Sequence, residues 1–229
     1  MLHGGAPAGL IVRVLEDLPA PAPMRLTRLT LDLQRPVPVG DLDIATRVTR
    51  EGRNIQTVEV TLSAGGKEVV RASALKIREA ALDIPASAAL PAAQLGVPET
   101  ATGFGRPVGF NETVDMREDL AAKPDWAARA VWTRIERPFF EDRETTPLMR
   151  AAAAGDYCNG FGSSLEFEEW TYINADLTLH FARAPVGEWI RLAATSWISP
   201  DGRGLAFGEL ADTQGVFGRA TQSLVIAKR

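Results

Sequence analysis

With 229 residues, 45% of them hydrophobic and 24% charged, the chain has the make-up of a globular protein that holds one large core or two small ones. A formal net charge of −4, a pI near 5.4 and no Lys/Arg block argue against nucleic acid as a partner, and no apolar run of about 18 residues exists to span a membrane as a helix. One cysteine, Cys158, excludes an intramolecular disulfide, and with only His3 and His180 beside it a Cys/His zinc site is not expected.

Met1-Leu2-His3-Gly4-Gly5 has neither the charged nor the apolar stretch of a signal peptide, so the expected address is cytoplasmic. Leu10, Ile11, Val14, Leu15 and Leu18 recur at helical spacing, predicting a helix over 9–18 that Pro19, Pro21 and Pro23 end. From Arg25 to Gln34 apolar and polar residues alternate, with Leu29, Leu31 and Leu33 on one face, which predicts a half-buried strand. Similar runs at 43–49, 54–62 and 69–77, separated by Glu51-Gly52-Arg53 and Gly65-Gly66, read as an antiparallel meander. Residues 78–106 are rich in Ala and Pro without a period and read as a linker. Strands follow at 111–117 and 128–136, then an Ala- and Gly-rich helix over 145–165, then a second meander over 172–226.

The chain also repeats itself. Pro38-Val39-Gly40-Asp41-Leu42 matches Pro185-Val186-Gly187-Glu188-Trp189 at an offset of 147, Glu51-Gly52-Arg53 matches Asp201-Gly202-Arg203 at 150, and Val70-Arg71-Ala72-Ser73 matches Gly218-Arg219-Ala220-Thr221 at 148. Such a period is far beyond the 20–50 residues of solenoids, so it predicts a duplicated domain. Each half reads as one helix followed by long antiparallel strands, and a sheet curled around one apolar helix is the hotdog arrangement, of class α+β. The expected halves are 1–78 and 107–229 with a linker at 79–106, the first half lacking the strand that opens the second.

His3-Gly4-Gly5 ahead of the first helix, Asn111 to Arg117, Asp156 in the second helix, Asn174-Ala175-Asp176-Leu177-Thr178 and Thr221-Gln222 together resemble the acyl-CoA thioesterase II family. That resemblance implies a double hotdog, two repeats with their sheets joined side by side. It implies an acyl-CoA substrate, no cofactor, and a water held by an Asp on the second helix, a Thr at the start of a strand and a Gln on the last strand. By position these are Asp156, Asn174 and Gln222. Asn174 departs from the family's Thr but keeps a donor and an acceptor.

Thioester hydrolysis needs a water oriented, its proton taken and an oxyanion stabilised. Ala151 to Gly155, Tyr157 and Cys158 offer Asp156 few polar partners, so burial is expected to raise its pKa and improve it as a base. Gln222 corresponds to Ala74 in the first half at the offset of 148, which fits one copy keeping a site. Asp176 is the alternative acid, expected to share a strand face with Asn174. Cys158 as a nucleophile with His3 or His180 as base is disfavoured, since a lone cysteine on an Ala-rich helix is usually a small buried hydrophobe.

Gly4 and Gly5 are expected to let the chain enter its helix closely packed, with unusual backbone angles. Gly103-Phe104-Gly105 and Gly202-Arg203-Gly204 read as turns. Trp170, Tyr172, Trp189, Trp197, Phe207 and Phe217 are expected in the core or lining an acyl tunnel, and Arg35, Arg183, Arg191 and Arg203 are the candidates for CoA phosphates. Hydratases of the same scaffold carry Asp and His on the helix, and Tyr157-Cys158-Asn159-Gly160-Phe161 has no His. A non-catalytic acyl- or acyl-CoA-binding protein is the other alternative. Long edge strands predict association into a homodimer or larger homo-oligomer.

Overall fold

The structure, a computed structural model, describes residues 1–101 and 109–229, so the Gly103-Phe104-Gly105 turn and the expected boundary at 106–107 lie outside the described residues. The first half comprises helix α1 (Gly5–Asp17) and strands β1 (Met24–Leu33), β2 (Asp43–Glu51), β3 (Ile55–Ala64) and β4 (Lys67–Arg78). The second comprises β5 (Val114–Glu118), β6 (Arg129–Ile135), helices α2 (Pro147–Gly155) and α3 (Cys158–Gly162), then β7 (Trp170–Asn174), β8 (Asp176–Phe181), β9 (Trp189–Ile198), β10 (Arg203–Asp212) and β11 (Gly215–Lys228). A short 3₁₀ turn, Gly109–Thr113, occupies the first residues of the strand expected at 111–117.

The eleven strands among the described residues form one antiparallel sheet in the order β2-β3-β4-β1-β8-β11-β10-β9-β6-β5, with β7 also on β11. The halves join where β1 lies on β8, so the two sheets are continuous, as the double hotdog requires. The helices lie on the apolar face: Ile11, Val12 and Leu15 of α1 and Met149 and Ala151 to Ala154 of α2 share a core with Leu29, Leu31, Leu177 and Leu179. Burial of these side chains, at about 1.5–3 kcal/mol each for the larger ones, is what holds helix to sheet.

The strand register carries the duplication more sharply than the sequence matches do. The β3–β4 ladder slips between Leu62 and Ser63, and the β10–β11 ladder slips between Leu210 and Ala211, 148 residues on. Likewise the β1 ladder slips between Leu26 and Arg28, and its counterpart breaks between Asn174 (β7) and Asp176 (β8), again 148 on. Thr30 and Thr178, also 148 apart, face each other across the β1–β8 seam with their hydroxyls 3.2 Å apart, so the pseudo-twofold axis passes between them. The match of Gly52 to Gly202 at 150 is displaced from this register: Arg203 opens β10 and corresponds to Ile55, which opens β3. Both segments are hairpin turns, and Gly202 alone of the two has a positive φ, 88°.

The halves differ at their outer edges. In the second half β6 covers the far side of β9, whereas among the described residues nothing pairs on the far side of β2, and all nine of its residues are exposed. No described helix is long and apolar enough to cross a membrane.

Candidate active site

The helix expected over 145–165 is two helices. Thr146 caps α2, accepting from the Met149 N–H at 3.2 Å with Pro147 in the first turn, and the helix stops at Gly155. Asp156 closes it in right-handed geometry, and α3 begins two residues later. Onto this break comes the N-terminus of α1. A Cβ on Gly4 would stand 2.7 Å from both carboxylate oxygens of Asp156, and one on Gly5 would stand 2.9 Å from the Ala153 carbonyl oxygen. The close packing expected of the glycine pair is therefore present, but not the unusual angles: Gly4 is right-handed helical (φ −61°), and neither glycine has a positive φ. A side chain on Gly4 would displace the carboxylate, and one on Gly5 would collide with the Ala153 backbone.

Asp156 is 4% exposed and surrounded by donors. Asn174 Nδ2 donates to Oδ1 at 2.9 Å, His3 Nδ1 stands 2.9 Å from Oδ2, and Gln222 Nε2 lies 3.4 Å from Oδ1. The Gly5 N–H is 3.1 Å from His3 Nδ1. One ring nitrogen cannot both accept from Gly5 and donate to Asp156; opposite a carboxylate the proton belongs on Nδ1, which leaves the Gly5 N–H to the carboxylate as well. The imidazole is held in place by Phe110 (stacked, 5.3 Å between ring centroids) and Tyr157 (4.6 Å), whose hydroxyl donates to Asn111 Oδ1 at 2.8 Å.

Burial pushes the Asp156 pKa up, yet the His3 charge and hydrogen bond, with those of Asn174 and Gly5, outweigh it, and the carboxyl sits below its ordinary range. This corrects the expectation of a raised pKa, which counted only the apolar neighbours in sequence. Because the folded value is depressed, the ionised form adds stability at pH above the unfolded value of about 3.9, and that stability is lost as pH falls through the folded value. An activity that needs the Asp156 carboxylate should therefore show no loss on acidification until below about pH 4. A limb near neutrality in a kcat/KM profile would show that Asp156 is not the titrating group.

Gln222 is fully buried and its amide is engaged at both ends. Its Oε1 accepts from the Asn159 N–H at 2.7 Å, while Nε2 donates to the Asp156 carbonyl at 3.2 Å. It thus bridges the C-terminus of α2 and the N-terminus of α3. Counted back by 148, Asp156, Asn174 and Gln222 fall on Ala8, Leu26 and Ala74, all buried and apolar. The first half has no such constellation.

Two alternatives are removed by the geometry. The break at Ala175 turns Asp176 to the opposite face from Asn174: Asn174 lies beside buried Leu224, whereas Asp176 stands beside exposed Asp32 and accepts from the Ser223 N–H at 2.5 Å. The expected shared face fails because a bulge reverses the alternation of side chains. Cys158 is fully buried and burial pushes its thiol well up, so a thiolate is not at hand. His180 is exposed on the outer face of β8, opposite Arg28.

Among the arginines, Arg191 is buried against Asp119 (2.9 Å) and Arg183 grips Asp212 with both guanidinium ends (2.6 and 2.7 Å), so both are structural. Arg35 donates to the Glu68 carbonyl at 2.5 Å and Arg203 pairs with Asp201, both at the surface. The aromatic residues divide. Phe217 is fully buried, Trp170 and Tyr172 pack at the core's margin, and Trp189 lies between Arg117 and Arg134, at 4.5 and 4.9 Å from its ring. Trp197 and Phe207 are on the outer face, contrary to expectation. Gln222, Leu224 and Ile226 share the core face of β11, and Ile226 helps Leu165, Trp170 and Ile198 line a cleft of ≈ 280 Å³ about 13 Å along the strand from Gln222.

The residue sequence reasoning missed is His3 as a partner of Asp156. His3-Gly4-Gly5 was visible as a motif, but its contact spans 153 positions of sequence and forms only because the pseudo-twofold packing sets α1 against α2.

A family model described as the acyl-CoA thioesterase C-terminal domain matches residues 86–226, and one described as the N-terminal domain matches residues 1–77. Comparison with curated protein sequences gives no match. Among solved structures, the chain is similar to the acyl-CoA thioesterase II TesB2 of Mycobacterium marinum (TM-score 0.70, 19% identity, 99% of this chain and 90% of that one). It is similar also to a hot dog fold protein of unknown function from Alicyclobacillus acidocaldarius (0.72, 18%, 98% and 86%). The tesB protein of Mycobacterium avium subs. paratuberculosis is a third (0.63, 17%, 99% and 87%). At these identities the likenesses are of fold.

Proposed function

The chain belongs to the acyl-CoA thioesterase family, whose members are thioester hydrolases, and from that premise we propose that it cleaves acyl-CoA with Asp156 as the base that holds and deprotonates the attacking water. The observation that carries this reading is one buried carboxylate fixed by Asn174, His3 and Gly5 at the junction of the halves, with no counterpart in the first repeat. Asn174 supplies from its amide the hydrogen bond that a Thr hydroxyl gives in the family pattern. Gln222, expected to hold the water with Asp156 and Asn174, acts instead as a brace, because both ends of its amide are taken by the Asn159 N–H and the Asp156 carbonyl across the helix break.

In this scheme the water oxygen attacks the thioester carbonyl carbon while Asp156 takes the water's proton. The tetrahedral oxyanion collapses, the C–S bond breaks, and the CoA thiolate leaves and is protonated, giving free acid and CoA thiol. A base of low pKa is adequate, because a thiolate leaves readily and the harder task is to orient the water. The backbone N–H groups of Asn159 and Gly160 already have acceptors, in Gln222 Oε1 and Asn159 Oδ1, so neither is the oxyanion donor.

The test is thiol release from acyl-CoAs of short, medium, long and aromatic acyl groups, crotonyl-CoA included, with Asp156→Asn in parallel. Release that the variant abolishes supports the proposal. Tight binding without release would make the chain an acyl-CoA-binding protein, and hydration of crotonyl-CoA would make it a hydratase. Asn174→Leu should lower turnover about 10- to 100-fold, the value of a hydrogen bond to a charged group at about 1.5–3 kcal/mol. Gln222→Ala strips partners from Asn159 and Asp156 and should lower stability by about 1–3 kcal/mol as well as turnover. An unchanged urea midpoint for that variant would remove the brace.

A further inference from the structure

Asp156 and the cleft at the end of β11 belong to the same repeat, and two strands join them. Strand β7 runs from Asn174, whose amide donates to Asp156, to Trp170 in the cleft wall. Beside it β11 runs from Leu224, opposite Asn174, to Lys228, opposite Trp170. Four residues of strand span about 13 Å. The core face between the two ends is apolar, with Leu224 and Ile226 on β11 and Tyr172 on β7. Leu165, just beyond α3, and Ile198 complete the cleft. Its ≈ 280 Å³ falls below the roughly 300–1,000 Å³ of pockets that take a whole small molecule, so it suits one end of a ligand.

The duplication shows that the fold does not require this space. Counted back by 148, Gly204 and Leu224, paired across β10 and β11, fall on Gln56 and Lys76, paired across β3 and β4. Both first-half side chains are buried and reach the end of α1. Gln56 Nε2 donates to the Pro19 carbonyl at 3.0 Å, and Lys76 Nζ to the Leu18 carbonyl at 3.2 Å. The second repeat has no side chain where Gln56 stands. A Cβ on Gly204 would lie 3.2 Å from Ile198 Cδ1 and 3.3 Å from Ile226 Cδ1, both in the cleft wall, so a longer side chain there would enter the cleft. The repeat that holds the carboxylate is thus also the one that leaves an apolar space within reach of it.

A zigzag of C–C bonds of about 1.5 Å advances about 1.3 Å per carbon, so the span from Asn174 to Trp170 takes about ten carbons. We propose that the cleft receives the far end of the acyl chain, which makes the substrate a straight medium-chain acyl thioester of about 10 to 12 carbons. Gly204, Leu165 and Trp170 then set the chain length. This rests on the thioester lying at Asp156. Past the cleft, Lys228 holds its ammonium 5.0 Å over the Trp170 ring, so a longer chain meets that charge and solvent instead of apolar wall.

Binding of S-alkyl-CoA thioethers, which have no carbonyl to attack, followed by calorimetry, reads the cleft without turnover. Each methylene from butyl to decyl should tighten Kd by up to about fourfold, with no further gain beyond about 12 carbons. Leu165→Trp fills the cleft from its loop, and Gly204→Gln gives the second repeat the residue of the first. Each should cut the gain from butyl to decyl at least about 10-fold, the value of two buried methylenes or more. Trp170→Ala should move the limit to longer chains. Leu165→Trp suffices if Gly204→Gln does not fold. The kcat/KM values of acyl-CoAs of the same lengths should follow the same order. No thiol release, with the alkyl preference intact, would overturn the thioesterase reading and support the cleft. Equal Kd values for butyl and decyl thioethers, no binding of either, or a preference that the folded variants leave intact overturns the cleft assignment.

Discussion

Asp156→Asn is expected to lower thiol release at least about 100-fold while leaving the fold intact, the scale of a lost general base. The amide matches the carboxylate in size and still accepts from Asn174 Nδ2 on Oδ1, so the contact with Gly4 is kept. What disappears is the negative charge that His3 faces at 2.9 Å and the capacity to take a proton from water. Single-turnover rates with a saturating acyl-CoA separate this from weaker binding: the loss should appear in kcat with KM nearly constant, as for an interaction made only in the transition state. A kcat within a few-fold of wild type would end the role of Asp156 as base and turn attention to the imidazole.

The largest effect on stability lies away from the site. Asp119 and Arg191 are 4% and 3% exposed and form an ion pair at 2.9 Å; Asp119 also accepts from Trp132 Nε1 at 3.2 Å and the Ala122 N–H at 2.9 Å, and Arg191 donates to the Ala122 carbonyl. Through these bonds the loop after β5 is tied to β6 and β9. Asp119→Ala leaves a buried guanidinium with one partner and should lower stability by about 3–5 kcal/mol, with a fall in Tm on the order of 10 °C. Removing both charges in Asp119→Ala/Arg191→Ala should cost less than the two single losses added, because the second substitution removes the charge the first one stranded. Equal urea midpoints for wild type and Asp119→Ala would refute the assignment.

Periodicity made the strands and α1 legible, since alternation and helical spacing are local properties that burial on one face enforces. Even so, α1 starts at Gly5 rather than residue 9, because Pro7 fits a first helical turn, and β2 is exposed over its whole length although its sequence alternates like the others. The break at Asp156 was not legible. Ala151 to Ala154 are strong helix formers and Gly155 alone is an ambiguous stop, tolerated inside many helices; the break is fixed by Gln222, 66 residues on, which takes the Asp156 carbonyl and the Asn159 N–H.

What the sequence by itself determined was the duplication and the hotdog halves, because repeats and side-chain alternation survive in one dimension; the candidate residues of the second-half site came from the resemblance to a family. Only the tertiary structure decided how the carboxylate is charged and where it points. His3 and Gly5 reach Asp156 through packing of α1 on α2, the slip at Ala175 turns Asn174 inward and Asp176 outward, and Trp197 and Phe207 point out from the sheet. Each of these depends on contacts between residues distant in the chain or on a one-residue shift of register, and neither leaves a trace in local composition.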